Sequence, residues 1–297
     1  MPRPPMLLAA GALLAAAVAC APVDDPAGTS ASATTGTATS AAASPSTACA
    51  KDQLKLLNAG KLTIGTDKPA YEPWFKDDDP SNGQGFEGAV AYAVAGQLGF
   101  DRDEVQWATV KFDSAFAPGA KTFDFDVNQV SINPDRAKVV DFSNGYYTVK
   151  QAIVTLDGSK YAAAKSLADL KDAKIAVQVG TTSLNAVKEV IKPTDDPNVY
   201  NDQIDAISAL KNKQADAIVV DLPTAFYVTA AQVEKSKIVG QFSSTGGTPE
   251  EFGLVMEKGS ALKPCVDKAV DTLKSNGELA KIEQEWLGSA VGAPELK

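Results

Sequence analysis

From Lys51 onward, short runs of β-branched residues alternate with stretches whose apolar residues recur every three or four positions. The short runs predict β-strands, the longer stretches predict amphipathic helices, and their alternation is typical of α/β proteins with parallel strands. The predicted strands are Lys61–Thr66, Val105–Val110, Asp126–Ser131, Lys150–Thr155, Lys174–Val179, Ala217–Val220, Lys237–Gly240 and Phe252–Glu257. The predicted helices are Phe86–Leu98, Asp135–Val139, Ser183–Ile191, Gln203–Lys211, Pro223–Ala230, Ser260–Ser275 and Glu278–Trp286. This region is large for one small sheet, so we expect two α/β lobes.

The N-terminal part of the chain follows a different pattern. Arg3 precedes an apolar run that is too short to span a bilayer, which predicts a secretory signal peptide over residues 1–19. The run ends at Cys20 in a sequence that resembles the lipobox of bacterial lipoproteins, in which the cysteine is lipidated. Ala17 stands where leucine is usual, so cleavage by the ordinary signal peptidase is the alternative. Residues 20–50 are rich in Ala, Ser, Thr, Gly and Pro and predict a flexible, lipid-anchored tether.

Composition and charge exclude several functions. The chain has 297 residues, a net charge of −9 and no histidine. An acidic chain without basic patches does not favour nucleic acid as a partner. The lack of histidine excludes Ser-His and Cys-His dyads and the commonest metal ligand, and the cysteines show no zinc spacing. We therefore predict no metal site and no cofactor.

The cysteines predict a disulfide instead. Once Cys20 carries lipid, Cys49 and Cys265 are the two remaining thiols. Export to an oxidising compartment favours a bond between them.

One stretch in the middle of the chain predicts an anion site. The strand pattern from Val127 to Ile132 is followed by an Asn-Pro helix start, with Arg136 in the first turn. The guanidinium, the Ser131 hydroxyl and the unpaired N–H groups of a helix start together suit a carboxylate. The alternative is that Arg136 only pairs with Asp135 or Asp141 on a solvated helix face.

Other predicted strand ends carry polar or aromatic residues, and ligands in α/β sheets bind at the carboxyl ends of strands. The residues concerned are Asp67, Tyr71, Trp74, Thr181, Thr182 and Asp221. Each has a structural alternative, because carboxylates and hydroxyls cap helices and aromatic rings cover cores. Together with an anion site, two acids and exposed rings suit recognition of a small amphoteric molecule.

Several spaced segments carry a family resemblance. They are Gly60–Asp67, Gly85–Val90, Asp126–Arg136, Val140–Ser143, Tyr146–Tyr147, Ser166–Lys171, Val179–Thr182 and Ala215–Asp221. Together they resemble the extracytoplasmic amino-acid-binding proteins of ABC importers, which include the glutamine- and histidine-binding proteins, over residues 54–287. The resemblance implies a two-lobed α/β fold of the type II periplasmic-binding-protein kind, with two crossing strands and lobes that close on the ligand. Lobe 1 is expected at 51–148 and 243–297, and lobe 2 at 149–242.

The resemblance also implies roles for single residues at the ends of the ligand. Arg136 would fork the α-carboxylate, which Ser131 and Thr182 would also contact. Asp221 would bind the α-ammonium group. Tyr71 would stack on the ligand.

The part of the site that faces the ligand side chain departs from the family. Phe112 resembles the second aromatic wall, and Gln129 stands where a small residue is usual. The remaining pocket residues are expected to be Asp67, Trp74, Gln178 and Thr181. Two glutamines between aromatic walls favour a polar or amide side chain, while Lys68 leaves an acidic one open.

The function implied by the resemblance is binding of a free amino acid and its delivery to the transmembrane permease subunits of an ABC importer. The protein is expected to be an extracytoplasmic monomer, held on the cell membrane by its N-terminal lipid, and not an enzyme. One alternative is a dehydratase of cyclic amino-acid precursors with Glu72 or Glu87 as general acid, since the same architecture hosts such enzymes. The other is a ligand-sensing module.

Overall fold

The computed structural model describes residues 49–244, 249–290 and 292–297. The strands are β1 (Leu62–Thr66), β2 (Val105–Thr109), β3 (Phe125–Asp126), β4 (Val140–Phe142), β5 (Tyr147–Val149), β6 (Gln151–Leu156), β7 (Ile175–Gln178), β8 (Asn198–Tyr200), β9 (Ala217–Asp221), β10 (Ser236–Phe242), β11 (Glu250–Phe252) and β12 (Val255–Glu257). The α-helices are α1 (Phe86–Gln97), α2 (Phe112–Ala115), α3 (Thr182–Ala186), α4 (Gln203–Lys211), α5 (Leu222–Tyr227), α6 (Lys263–Ser275) and α7 (Glu278–Leu287). Within these residues, no helix combines the length and apolar character that crossing a membrane requires.

Lobe 1 is built on a five-stranded sheet in the order β2-β1-β3-β12-β4. Strand β1 runs parallel to β2 and β3, whereas β12 runs antiparallel to β3 and β4. Helices α1, α6 and α7 cover one face of this sheet and bury the main hydrophobic core. The predicted apolar face of α1 lies in this core, because Val90, Val94 and Leu98 are all buried.

Lobe 2 is built on a second five-stranded sheet in the order β10-β6-β9-β7-β8. Strands β7, β8 and β9 are parallel, and β6 pairs antiparallel with both β9 and β10. Hydrophobic clusters lie on both faces of this sheet. The continuous apolar run of β9 follows from this, because a strand that is covered on both faces has no solvent side.

Two strand connections join the lobes. Strand β5 continues into β6, and β10 leads back to β11, which pairs antiparallel with β5 beside the core of lobe 1. The predicted α/β architecture with two lobes is confirmed.

The C-terminal residues lie in a different place from the one the sequence predicted. They were expected in lobe 1, but the segment after α7 lies along β10 of lobe 2. The Gln241 N–H donates to Pro294 O (2.8 Å), and the Leu296 N–H donates to Gln241 O (2.9 Å). Leu296 is buried in a core of lobe 2, over Gly240, where a Cβ atom would come within 2.5 Å of the leucine. The chain therefore passes between the lobes a third time.

Some short elements also differ from the prediction. The strand expected at Asp126–Ser131 is limited to Phe125–Asp126, because Gln129 adopts a positive φ of 49° that interrupts the extended chain. The helix expected at Asp135–Val139 is a three-residue 3₁₀ helix, Arg136–Lys138.

The predicted disulfide is present between Cys49 and Cys265. It ties the chain before β1 to helix α6, and both residues belong to the core of lobe 1 or pack against it.

Candidate functional site

A cavity lies between the lobes, and both contribute to its wall. The lining residues are Asp67, Tyr71, Phe112, Asn128, Gln129, Gln178, Thr181, Thr182, Ser183, Gln203 and Asp221. Eight of these were predicted from the sequence as site residues. The other predicted site residues, Trp74, Ser131 and Arg136, do not line this wall.

Strand ends position the polar groups of the cavity. Asp67 follows β1, Gln178 ends β7 and Asp221 ends β9, so all three lie at carboxyl ends of strands. The Thr181 hydroxyl caps α3 by accepting from the Leu184 N–H (3.1 Å). Thr181 therefore does both: it caps a helix, which was the structural alternative, and it also lines the cavity.

Asp67 gives the cavity an acidic wall. Its carboxylate accepts from the main-chain N–H of Lys68 (2.6 Å) and of Phe112 (3.1 Å). Burial raises its pKa above the ordinary value, and those two hydrogen bonds oppose the rise. Neighbouring Tyr71 has its pKa raised to about 12, first by burial and then by the charges of Asp202 and Asp67. Tyr71 therefore stays a neutral ring at physiological pH.

Asp221 places a second carboxylate on the opposite wall. Its Oδ1 accepts from Gln151 Nε2 (2.8 Å), and Gln151 Oε1 in turn accepts from the Ser183 hydroxyl (2.5 Å). Burial raises the pKa of Asp221 well above its ordinary value, and the charge of Glu250 adds to the rise. A cationic ligand group at this wall would offset both effects and favour the ionised form.

Arg136 is buried behind the cavity wall and joins the two lobes. Its Nη1 donates to Ser131 O (2.8 Å) in lobe 1, and its Nη2 donates to Gly180 O (2.9 Å) in lobe 2. Its guanidinium carbon lies 4.2 Å from the centre of the Phe116 ring. Burial lowers its pKa to about 10, so it remains protonated at neutral pH. A ligand carboxylate could use this fork by replacing the carbonyl of Gly180.

Arg136 does not form the surface ion pair with Asp135 or Asp141 that was the alternative interpretation. Asp135 pairs with Lys138 (2.6 Å), and Asp141 pairs with Lys258 (3.0 Å). Arg136 itself is 7% exposed, so it lies on no solvated helix face.

Ser131 supports the site from behind. Its hydroxyl donates to Glu250 Oε1 (2.6 Å) and lies 3.4 Å from Thr182 Oγ1 in lobe 2. Glu250 is buried and also accepts from Ser244 and, at 3.4 Å, from Gln151 Nε2. The Glu250 carboxylate, at the start of β11, thus bonds to Ser131 of lobe 1 and to Gln151 of lobe 2.

The prediction that Trp74 lines the pocket is wrong. Trp74 has no exposed surface and packs edge-on against Phe86, Tyr147 and Phe252. Its Nε1 donates to Thr224 Oγ1 of lobe 2 (2.9 Å). The ring therefore belongs to the core of lobe 1, and its polar atom makes a contact between the lobes.

Sequence reasoning missed several residues that build this site. They are Asn128, Gln151, Ser183, Gln203 and Glu250, while Glu87 was considered only as a general acid. Asn128 and Ser183 adjoin predicted site residues, and this adjacency was the available signal. Glu250 is brought to the site by the pairing of β11 with β5, and the local sequence around Glu250 does not indicate this pairing.

Glu87 has no exposed surface and contacts Gln129 of the cavity wall from the protein interior. Its Oε1 accepts from the Gln129 N–H (2.7 Å) and from the Tyr146 hydroxyl, and its Oε2 accepts from Gln129 Nε2. Burial raises its pKa from 4.5 to about 7, although these three hydrogen bonds oppose the rise. At neutral pH, Glu87 therefore titrates.

This shift predicts a pH effect on stability. A carboxyl group whose pKa is raised in the folded state binds its proton more tightly there than in the unfolded chain. Its contribution is fully present below pH 4.5 and is lost as the pH rises through about 7. Across this range, the free energy of unfolding of the wild type should fall relative to that of Glu87→Gln. Denaturant titrations at several pH values check this, with exposed Glu189→Gln as control; a pH-independent difference for Glu87→Gln would contradict it.

Comparisons with known proteins agree with this geometry. Residues 62–289 match the profile of the bacterial extracellular solute-binding proteins, family 3. The arginine-binding extracellular protein ArtP of Bacillus subtilis is 29% identical over 234 residues, which cover 76% of this chain and 86% of ArtP. The L-cystine-binding protein TcyJ of Escherichia coli is 26% identical over 239 residues, which cover 80% and 86% of the two chains. Among solved structures, an ancestral arginine-binding protein bound to arginine is 33% identical, with a TM-score of 0.64 and coverage of 76% and 98%.

Proposed function

The chain belongs to the bacterial extracellular solute-binding proteins, family 3, and we propose that it binds a free amino acid and delivers it to an ABC importer. Its two lobes have the type II periplasmic-binding-protein fold that the sequence predicted. The observation that carries the proposal is the cavity between these lobes, with Asp221 on its wall and Arg136 directly behind it.

The two charged residues suit the two ends of an α-amino acid. A buried zwitterion is tolerated only where each of its charges has a partner. Asp221 is the partner for the α-ammonium group, and Arg136, with the Thr182 hydroxyl and the start of α3, is the partner for the α-carboxylate. Tyr71 and Phe112 provide the aromatic walls.

Binding closes the lobes in this proposal. Arg136 already bonds to a carbonyl of each lobe, so a carboxylate in place of Gly180 O would keep the two lobes linked through the ligand. A ligand shifts a two-state equilibrium only by its difference in affinity for the two states. Contacts to both walls of the cavity supply that difference, and the closed form is what the permease subunits receive.

We favour binding over catalysis because of the positions of the two candidate general acids. A general acid must reach the reacting atoms, but neither Glu72 nor Glu87 lines the cavity, and the Glu87 carboxylate is occupied by Gln129 and Tyr146. Turnover of cyclic amino-acid precursors by the purified protein would reverse this conclusion.

The family's extracellular location agrees with the predicted signal peptide. We infer that the protein is a monomer held on the membrane by lipid at Cys20, through a tether that ends near residue 50. Cys20 and most of the tether lie outside the described residues. Since stable anchoring needs more than one acyl chain, Cys20→Ser should release the protein from the membrane fraction, and unchanged membrane binding would contradict lipidation.

A ligand screen tests the function itself. Melting of the mature protein should shift upward with one or a few amino acids, since a ligand at a hundred times its Kd adds about 2.7 kcal/mol to the stability of the folded state. The same compounds without their α-ammonium group serve as controls. If no amino acid shifts the melting temperature, the proposal fails.

A further inference from the structure

The conformation of Gln129 is fixed by a residue that does not itself line the cavity. Gln129 has a positive φ of 49°, which is uncommon for a residue with a side chain. The Glu87 carboxylate accepts from its main-chain N–H (2.7 Å) and from its side-chain Nε2. Both ends of Gln129 are therefore held by the same buried carboxylate.

The chemistry of this contact sets the direction of the amide. The NH₂ group of Gln129 faces Glu87 and donates to its Oε2. The ionised form of Glu87 enforces this orientation, because a carboxylate can only accept hydrogen bonds. The remaining polar atom of the side chain is Oε1, which accepts no hydrogen bond from the residues that the structure describes. Because Gln129 lines the cavity and its NH₂ group is taken by Glu87, this carbonyl oxygen is the side-chain atom that Gln129 can offer to a ligand, and it is an acceptor.

Two neighbours define what can bind beside this carbonyl. The Asp67 carboxylate, on the same lobe, adds acceptors and negative charge to the cavity wall. Asn128 is 6% exposed and also lines the cavity, and its Nδ2 is a buried donor that has no hydrogen-bond partner among the described residues. A ligand group that donates to Gln129 and accepts from Asn128 satisfies both, and a primary amide does so with one planar group.

We propose that Glu87 is a positioning residue that holds the Gln129 carbonyl toward the cavity, so that the site selects amino acids whose side chains end in a hydrogen-bond donor, best a primary amide, over carboxylates of the same shape. The inference rests on the proposed function and names its substrate class. A carboxylate side chain would place its oxygens against the Gln129 carbonyl and the Asp67 charge, with no donor to offer either.

Calorimetric titration with glutamine and glutamate, and with asparagine and aspartate, tests the selection. A site built to receive an N–H group discriminates strongly against an analogue that lacks it. In the wild type we therefore expect the better-bound amide to have a Kd at least about 100-fold lower than that of its carboxylate. An acidic or apolar amino acid as the tightest ligand would overturn the inference while leaving the proposed function intact. Binding of no amino acid would instead overturn the proposed function.

Glu87→Gln tests the positioning role. The new amide can still accept from the Gln129 N–H, but its NH₂ group would donate to Gln129 Oε1 and turn the Gln129 NH₂ group toward the cavity. The ratio of the two Kd values should then move toward the carboxylate by about tenfold or more, the effect of one exchanged hydrogen bond. An unchanged ratio would refute the positioning role, whatever happens to stability.

A matched control separates positioning from general loosening. Tyr146→Phe removes the hydroxyl that also donates to Glu87 and leaves the pair with Gln129 in place. It should keep the ratio within about twofold, because the Glu87 carboxylate still accepts from the Gln129 NH₂ group and so still sets the direction of that amide. If Glu87→Gln does not fold, Gln129→Met at the cavity surface replaces it as the test. That variant should lower the ratio by about tenfold or more, with the Asp67 charge still disfavouring the carboxylate, and a ratio that stays at the wild-type value would refute the proposal.

Discussion

Replacing both Cys49 and Cys265 with serine is expected to lower the free energy of unfolding by as much as about 5 kcal/mol. The bond spans 216 residues of sequence and therefore closes a loop that contains most of the folded chain. In the chain-entropy model a longer loop restricts the unfolded chain more, and about 5 kcal/mol is the value for a loop of this length. The figure is an upper one, because residual structure in the unfolded chain reduces it.

Denaturant titration of the double serine variant, compared with the wild type, measures this effect. The wild type in reductant should follow the variant, and Cys20→Ser should follow the oxidised wild type. Equal midpoints for the variant and the oxidised protein would contradict the prediction. Since Cys265 lies on α6 and Cys49 precedes β1, the loss should first be seen in lobe 1.

The larger elements could be predicted from the sequence, for a physical reason. Helices such as α1 and strands such as β9 bury a periodic or continuous set of apolar residues, and this burial is visible in the local pattern. Strands β4, β5, β8 and β11 were missed, because each has three residues and is defined by its partner strand. The C-terminal segment was placed in the wrong lobe for the same reason, since its pairing with β10 is between distant parts of the chain.

The lining of the cavity was predictable where a strand ends in a polar residue, as at Asp67 and Asp221. It was not predictable where tertiary packing decides the direction of a side chain. Trp74 and Tyr71 occur in the same loop, yet one ring is in the core and the other lines the cavity. The composition of the loop gives the same prediction for both rings. Only the packing of lobe 1 determines which ring is buried and which lines the cavity.

The largest expected effect on binding is that of Arg136→Ala or Asp221→Ala. Each change leaves one charge of the ligand desolvated without its partner, which costs about 2–5 kcal/mol, or roughly thirty-fold to several thousand-fold in Kd. Arg136→Lys should not restore binding, because an ammonium group cannot reproduce the planar fork that now reaches Ser131 O and Gly180 O. Exposed Arg102→Ala, in the same lobe, is the control for loss of a positive charge.

A deaminated ligand distinguishes the role of Asp221 from that of Arg136. Arg136 also links the lobes, so its removal could weaken the binding of any ligand by loosening the closed form. Within the described part of the chain, Asp221 makes no such hydrogen bond to lobe 1, since its partner Gln151 belongs to the neighbouring strand of lobe 2. With the deaminated analogue, Asp221→Ala should therefore change Kd little, while Arg136→Ala should still weaken binding by the full factor. Calorimetry on both variants with both ligands gives the four values, and near-wild-type affinity of Arg136→Ala for the amino acid would exclude Arg136 as the carboxylate partner.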